Sequence, residues 1–134
     1  MLLAANVIIC ESVLNEKTDV ASAIRILNAL TVSTTQTFAT FRVHTMLAST
    51  SMDFQQHVVQ VWMHPIQNNI AVASAQEFRF IYANKLDYSG PGAFNLTTTF
   101  TLDLRPLGAL GHYIVSVSLD GQVVANAPIM LRRG

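Results

Sequence analysis

The sequence predicts an all-β domain. The expected form is an antiparallel two-sheet β-sandwich, immunoglobulin-like or of similar topology, with about eight strands. Three observations carry that expectation. Runs of strand length alternate apolar and polar side chains with a period of two, as in Phe94-Asn95-Leu96-Thr97-Thr98-Thr99-Phe100. Polar, Gly- or Pro-containing breaks separate the runs at short intervals. Helical crossovers are missing, which excludes a doubly wound parallel sheet.

Leu3 to Cys10 is an apolar run rich in β-branched residues and reads as a strand buried on both faces, ended by Glu11-Ser12. Asn15-Glu16-Lys17-Thr18-Asp19 is the first polar break. Ala21 to Val32 fits two periods. Val20, Ala23, Ile24, Leu27 and Leu30 have helical spacing, with Thr18 or Asp19 as caps, while Ile24, Ile26, Asn28 and Leu30 fit one face of a strand. Strand is preferred because the remainder of the chain is β.

After Ser33-Thr34-Thr35-Gln36, the segment Phe38–Ala48 places Phe41, Val43, Thr45 and Leu47 on one face and Arg42, His44 and Met46 on the other. Gln56–His64 places Val59, Val61 and Met63 opposite Val58, Gln60 and Trp62. Both faces carry bulk, so a central or contact position is expected, and Pro65 ends the ladder. Glu77–Ala83 sets Phe78, Phe80 and Tyr82 against Arg79 and Ile81. Ser89-Gly90-Pro91-Gly92 is the strongest breaker, in a loop from Asn84 to Ala93.

Phe94–Leu104 has one apolar face and one threonine face, the mark of a strand packed on one side and wet on the other. Tyr113–Leu119 points Tyr113, Val115, Val117 and Leu119 inward. Asp120-Gly121 follows, the dipeptide best suited to a two-residue hairpin turn with positive φ at both positions. In the last run, Gln122–Leu131, Pro128 demands an edge or a bulge.

Length and composition bound the rest. The 134 residues make one domain, spanning 1–134, large enough to bury a core. Hydrophobic residues are 51% and charged residues 12%, which argues against disorder and leaves too little charge to cover the surface. Part of the apolar surface is therefore expected against a second copy or a protein partner. Eight basic residues balance eight acidic ones without a basic patch, so nucleic acid is not an expected partner. No window approaches a membrane-spanning run, and the N-terminus lacks the basic region of a secretory leader, so a cytoplasmic protein without membrane contact is expected.

The single cysteine, Cys10, cannot form an intrachain disulfide and reads as a small buried hydrophobe. No cationic residue stands beside it in the sequence to activate the thiol.

Chemistry-bearing patterns are absent. His57 and His64 are seven apart on one strand and face opposite sides, and His44 has no carboxylate or thiol positioned to complete a metal site with either. The eight acids fall mostly at strand ends and turns, with no pair singled out for acid–base work. Gly-x-Ser-x-Gly and phosphate-cradling glycine motifs do not occur. No catalytic residue, metal ligand or cofactor is assigned, and an enzyme is not expected.

Trp62 is the one tryptophan. Core packing is its plain reading and an interface anchor the sharper one. Tyr82 and Tyr88 flank the Asn84–Ala93 loop and complete the candidate interface set.

Three stretches resemble a family of small uncharacterised bacterial β-sandwich proteins. They are Ala5-Asn6-Val7-Ile8-Ile9-Cys10-Glu11-Ser12-Val13-Leu14, then Ile24-Arg25-Ile26-Leu27-Asn28-Ala29-Leu30, and the closing Gly111-His112-Tyr113, Leu119-Asp120-Gly121 and Ala127-Pro128-Ile129. Such proteins open with an alanine-rich strand ending in a Cys-acid-Ser step and close on a hairpin of this kind. The resemblance implies a sandwich, a strand for the ambiguous segment and a cytoplasmic setting. It carries no site residue. It departs from the family after Trp62, where a Pro-acid-Gly turn is replaced by Pro65-Ile66-Gln67-Asn68-Asn69.

Two functions remain. The first is a non-enzymatic interaction or structural module that self-associates or binds a protein partner. The second is a small hydrophobic-ligand carrier with a barrel cavity.

Overall fold

The computed structural model describes residues 2–17, 20–49, 56–73, 76–80, 92–106 and 108–134. Among them there are nine strands and no helix: β1 (Leu2–Lys17), β2 (Val20–Ile26), β3 (Ala29–Val32), β4 (Phe38–Ser49), β5 (His57–Pro65), β6 (Gln76–Phe80), β7 (Gly92–Asp103), β8 (Gly111–Leu119) and β9 (Gln122–Arg133). They form a four-stranded sheet, β2-β1-β4-β7, and a five-stranded sheet, β3-β9-β8-β5-β6.

Both sheets contribute side chains to one hydrophobic cluster. Ile9, Phe41, Val43, Leu47, Phe100 and Leu102 come from the four-stranded sheet. Val59, Val61, Met63, Val115, Val117 and Ile129 come from the other. Phe41, Val43, Leu47, Phe100, Leu102, Val115 and Val117 are on the apolar faces that the alternation assigned, and Val59, Val61 and Met63 share one face as grouped. The cross-strand pair Phe41 and Phe100 stacks with ring centroids 6.0 Å apart. At the flank, Phe80 of β6 stacks on Phe94 of β7 at 4.0 Å and ties the sheets together. Fully burying such a ring, as at Phe41 and Phe100, contributes about 1.5–3 kcal/mol.

The first third of the chain differs from expectation. β1 does not stop at Glu11-Ser12 but continues to Lys17, because β2 takes over as its partner. Pairing with β4 runs as far as Cys10↔Arg42, and pairing with β2 runs from Cys10↔Ile26 to Lys17↔Val20. Ala21–Val32 is strand, as preferred, but it is divided. β2 belongs to the four-stranded sheet, and β3 to the other. The break at Leu27-Asn28 is anchored on both sides. The Leu27 amide donates to the Ile9 carbonyl at 2.7 Å, and the Met130 amide donates to the Asn28 carbonyl at 3.1 Å.

β3 then pairs with β9 in parallel, so the sheets are not wholly antiparallel as expected. A parallel pair needs a long connection between its strands. Here residues 33–121 intervene.

The hairpin signal is realised. Asp120 and Gly121 have φ of 50° and 86°, and the β8–β9 ladder closes at Leu119↔Gln122. The ladder slips by one residue between Val117 and Ser118. Pro128 sits where β8 is the only strand paired with β9 among the described residues, since β3 reaches β9 from Met130 onward. Its missing amide therefore falls on a local edge. β6 ends at Phe80, and the expected continuation to Ala83 lies outside the described residues.

Candidate functional site

The outward face of the five-stranded sheet carries the most elaborate side-chain network. Val59, Val61 and Met63 of β5 are fully buried inward. The alternate residues Gln60, Trp62 and His64 therefore look out, each half-buried. Trp62 stands opposite Ser116 of β8, and His64 opposite Ile114. Ser116 and Ser118 are buried although they face outward. Small side chains beside an indole lie below the surface it defines.

His64 binds through both ring nitrogens. Nδ1 lies 2.8 Å from the Pro65 carbonyl and 2.9 Å from the Asn68 carbonyl, and Nε2 lies 2.9 Å from Ser116 Oγ. Carbonyls only accept, so Nδ1 donates to them, and in the neutral ring Nε2 accepts from the serine hydroxyl. Trp62 Nε1 donates to Asn69 Oδ1 at 3.2 Å, and Asn68 Oδ1 accepts the Ile70 amide at 2.9 Å. Together these bonds fold the Pro65–Asn69 turn back toward the sheet. Ile66, Ile70 and Val72 are left 57%, 72% and 38% exposed. The Trp62 and His64 rings are 6.4 Å apart.

A serine hydroxyl donating to a histidine is also the opening geometry of a nucleophile–base pair. Here the serine is buried and the imidazole is held by main-chain carbonyls of a turn, so the contacts visible in the structure are those of a clasp.

A second network pins the β8–β9 turn to the start of β5. Asp120 Oδ2 lies 2.7 Å from His57 Nδ1, Asp120 Oδ1 accepts the Val58 amide at 2.9 Å, and the Asp120 amide donates to the Val58 carbonyl at 2.8 Å. Partial burial, the largest single influence, raises the Asp120 carboxyl. The His57 hydrogen bond, the Val58 amide and the imidazole charge together outweigh it, and the net shift is downward. His57 packs on Phe80 at 5.5 Å, on the side opposite His64, as their spacing requires. His44 lies on the other sheet, with Nδ1 3.0 Å from Thr97 Oγ1, and meets neither.

Among the described residues, no three metal-binding side chains converge. No helix there is long and apolar enough to cross a membrane.

Cys10 is fully buried. Burial pushes its thiol up, and Arg42, its cross-strand partner, pulls it part of the way back. The sequence placed no cation beside Cys10. Register supplies one, and it does not suffice to activate the thiol.

Of the predicted interface residues, Trp62 is on the outward face of β5 opposite Ser116 of β8, while Tyr82 and Tyr88 lie outside the described residues. Ser116, Asn68 and Asn69 escaped sequence reasoning. The only signal was the serine alternation in Tyr113–Leu119, whose partner strand cannot be known without register.

Comparison with protein-family models, with curated proteins and with solved structures finds no match to the chain.

Proposed function

We propose that the chain is a non-enzymatic interaction module, built as an immunoglobulin-like β-sandwich and acting by contact with a second copy or a protein partner. The single observation that carries this reading is the Trp62 face. A half-buried indole donates to Asn69, and three exposed aliphatic side chains, Ile66, Ile70 and Val72, stand in the adjoining turn and the residues after it. Tryptophan is the residue most enriched at contact hot spots, and clustered apolar side chains on a low-charge surface gain by being covered.

Strand order supports the finer fold assignment. The order β1-β4-β7 matches one sheet of such a domain, and β3 running parallel beside the last strand matches the crossing of a divided first strand into the other sheet. Tyr113, near the start of β8, donates its hydroxyl to the Ala109 carbonyl four residues upstream. That contact resembles the tyrosine corner of the class and supports the reading. The carrier reading is less supported, because Phe41, Phe100, Val61 and Val117 occupy the space between the sheets.

The test compares the purified chain with Trp62→Ala by sedimentation velocity across micromolar concentrations and by partner capture. Loss of association, with the far-UV spectrum unchanged, is the expected result. A monomeric parent that captures nothing, or a variant that associates as before, overturns the assignment of the Trp62 face.

A further inference from the structure

The segment from Glu11 to Ile26 interrupts an otherwise continuous path. Cys10 stands opposite Ile26, and the Leu27 amide bonds the Ile9 carbonyl, so the chain returns to the place it left. From Leu2 to Cys10, β1 is flanked by β4. Beyond Cys10 its only strand partner among the described residues is β2. Ser12–Lys17 and Val20–Ile24 therefore form a two-stranded ribbon inserted at the crossing between the sheets. A two-stranded ribbon is at best marginally stable in water, and three or more strands are needed for independent stability.

The same divergence uncovers a second edge. β7 pairs with β4 along its whole length, starting at Phe38↔Asp103. On the opposite side β1 reaches only to Arg42. Phe38–Thr40 thus have a strand neighbour on one side only among the described residues. The chain carries two matched edges, Ser12–Leu14 on the ribbon and Phe38–Thr40 on β4. Mutual complementarity within one chain is the condition for a closed twofold pair.

We propose that the ribbon is an exchange arm, and that its occupant is a second copy of this chain. Each protomer lays Ser12–Leu14 antiparallel against Phe38–Thr40 of the other, extending the four-stranded sheet. Continuing the register Ile9↔Val43 and Cys10↔Arg42 across the two molecules sets Ser12 opposite Thr40 and Leu14 opposite Phe38. This deepens the self-association branch of the preceding reading, through a surface distinct from the Trp62 face.

The test uses the full chain in a Cys10→Ala background. Ser12→Cys and Thr40→Cys are made in separate chains, mixed, and mildly oxidised. A covalent dimer carrying one disulfide between the two variants, identified by mass spectrometry, is expected, together with its absence when either variant is oxidised with the parent. In parallel, residues 13–23 are replaced by Asn-Gly, which joins the opposed residues Ser12 and Ile24 by a two-residue turn. That variant should sediment at half the mass of the parent.

A dimer that survives the replacement overturns the proposal while leaving self-association standing, and loss of that dimer with Trp62→Ala then locates it on the other face. A parent that stays monomeric overturns both. A Ser12→Cys/Thr40→Cys chain that closes the disulfide within itself shows that the two edges meet in one molecule and also overturns the proposal. Should the shortened chain fail to fold, the mixed cross-link decides alone.

Discussion

Thr45 lies fully buried on the core face of β4, between Val43 and Leu47, and its hydroxyl has no hydrogen-bond partner among the described residues. The alternation places a threonine there as readily as a valine, since both are β-branched and suit a strand. An unpaired hydroxyl in a core loses its hydration without replacement. Thr45→Val keeps the shape and removes the orphan group. It is expected to raise stability by about 1 kcal/mol, read as an increased urea midpoint with unchanged slope. Tyr113 shows the opposite solution. It is equally inward, but its hydroxyl reaches the Ala109 carbonyl, and burial pushes its ionisation upward.

At the scale of elements, the β8–β9 hairpin joins local and distant information. Positive φ at Asp120 and Gly121 is a local demand, readable from the dipeptide. The Asp120 carboxylate does more than shape the turn, because it accepts the Val58 amide and bonds His57. Asp120→Ala removes both bonds and puts a residue poorly suited to positive φ in the turn. A loss of about 1 kcal/mol is expected, reduced from the usual value for charged hydrogen bonds because the carboxylate is 49% exposed.

The folded carboxyl titrates below its ordinary value of 3.8, so its contribution is complete above that pH and vanishes as pH falls through the folded value. The stability gap between parent and Asp120→Ala, measured by denaturant titration, should therefore narrow as pH drops below 3.8. Asp120→Asn tolerates the same φ and keeps an acceptor for Val58, so it should fall between the two. His57 was visible in the sequence only as one of four histidines. It stands 63 residues from Asp120, and no spacing rule couples them.

At the scale of the molecule, stability rests on side chains from both sheets meeting in one cluster. Phe100→Ala removes one half of the Phe41–Phe100 stack from a site with 1% exposure. It is expected to cost about 3–5 kcal/mol, measured as a single cooperative urea transition shifted to lower denaturant.

Most of this core could be read in advance. Phe41, Val43 and Leu47, then Val59, Val61 and Met63, then Phe100 and Leu102, then Val115 and Val117 all lie on the faces their alternation assigned. What could not be read was where β1 would change partners, since Glu11-Ser12 is a polar interruption whether a strand ends there or acquires a new neighbour. The parallel β3–β9 pair was equally hidden, because it unites the first third of the chain with its last residues.

The linear order of residues therefore settles which faces of Phe38–Ala48, Phe94–Leu104 and Tyr113–Leu119 turn inward and where the tight hairpin falls, because each follows from contacts between near neighbours, while Ala21–Val32 fits helix and strand alike. Tertiary structure alone decides that Trp62 stands opposite Ser116, that His64 clasps the turn after it to β8, and that the early strand divides between two sheets. A period of two specifies a face but is blind to the neighbouring strand, and only the register of folded strands turns a face into a site.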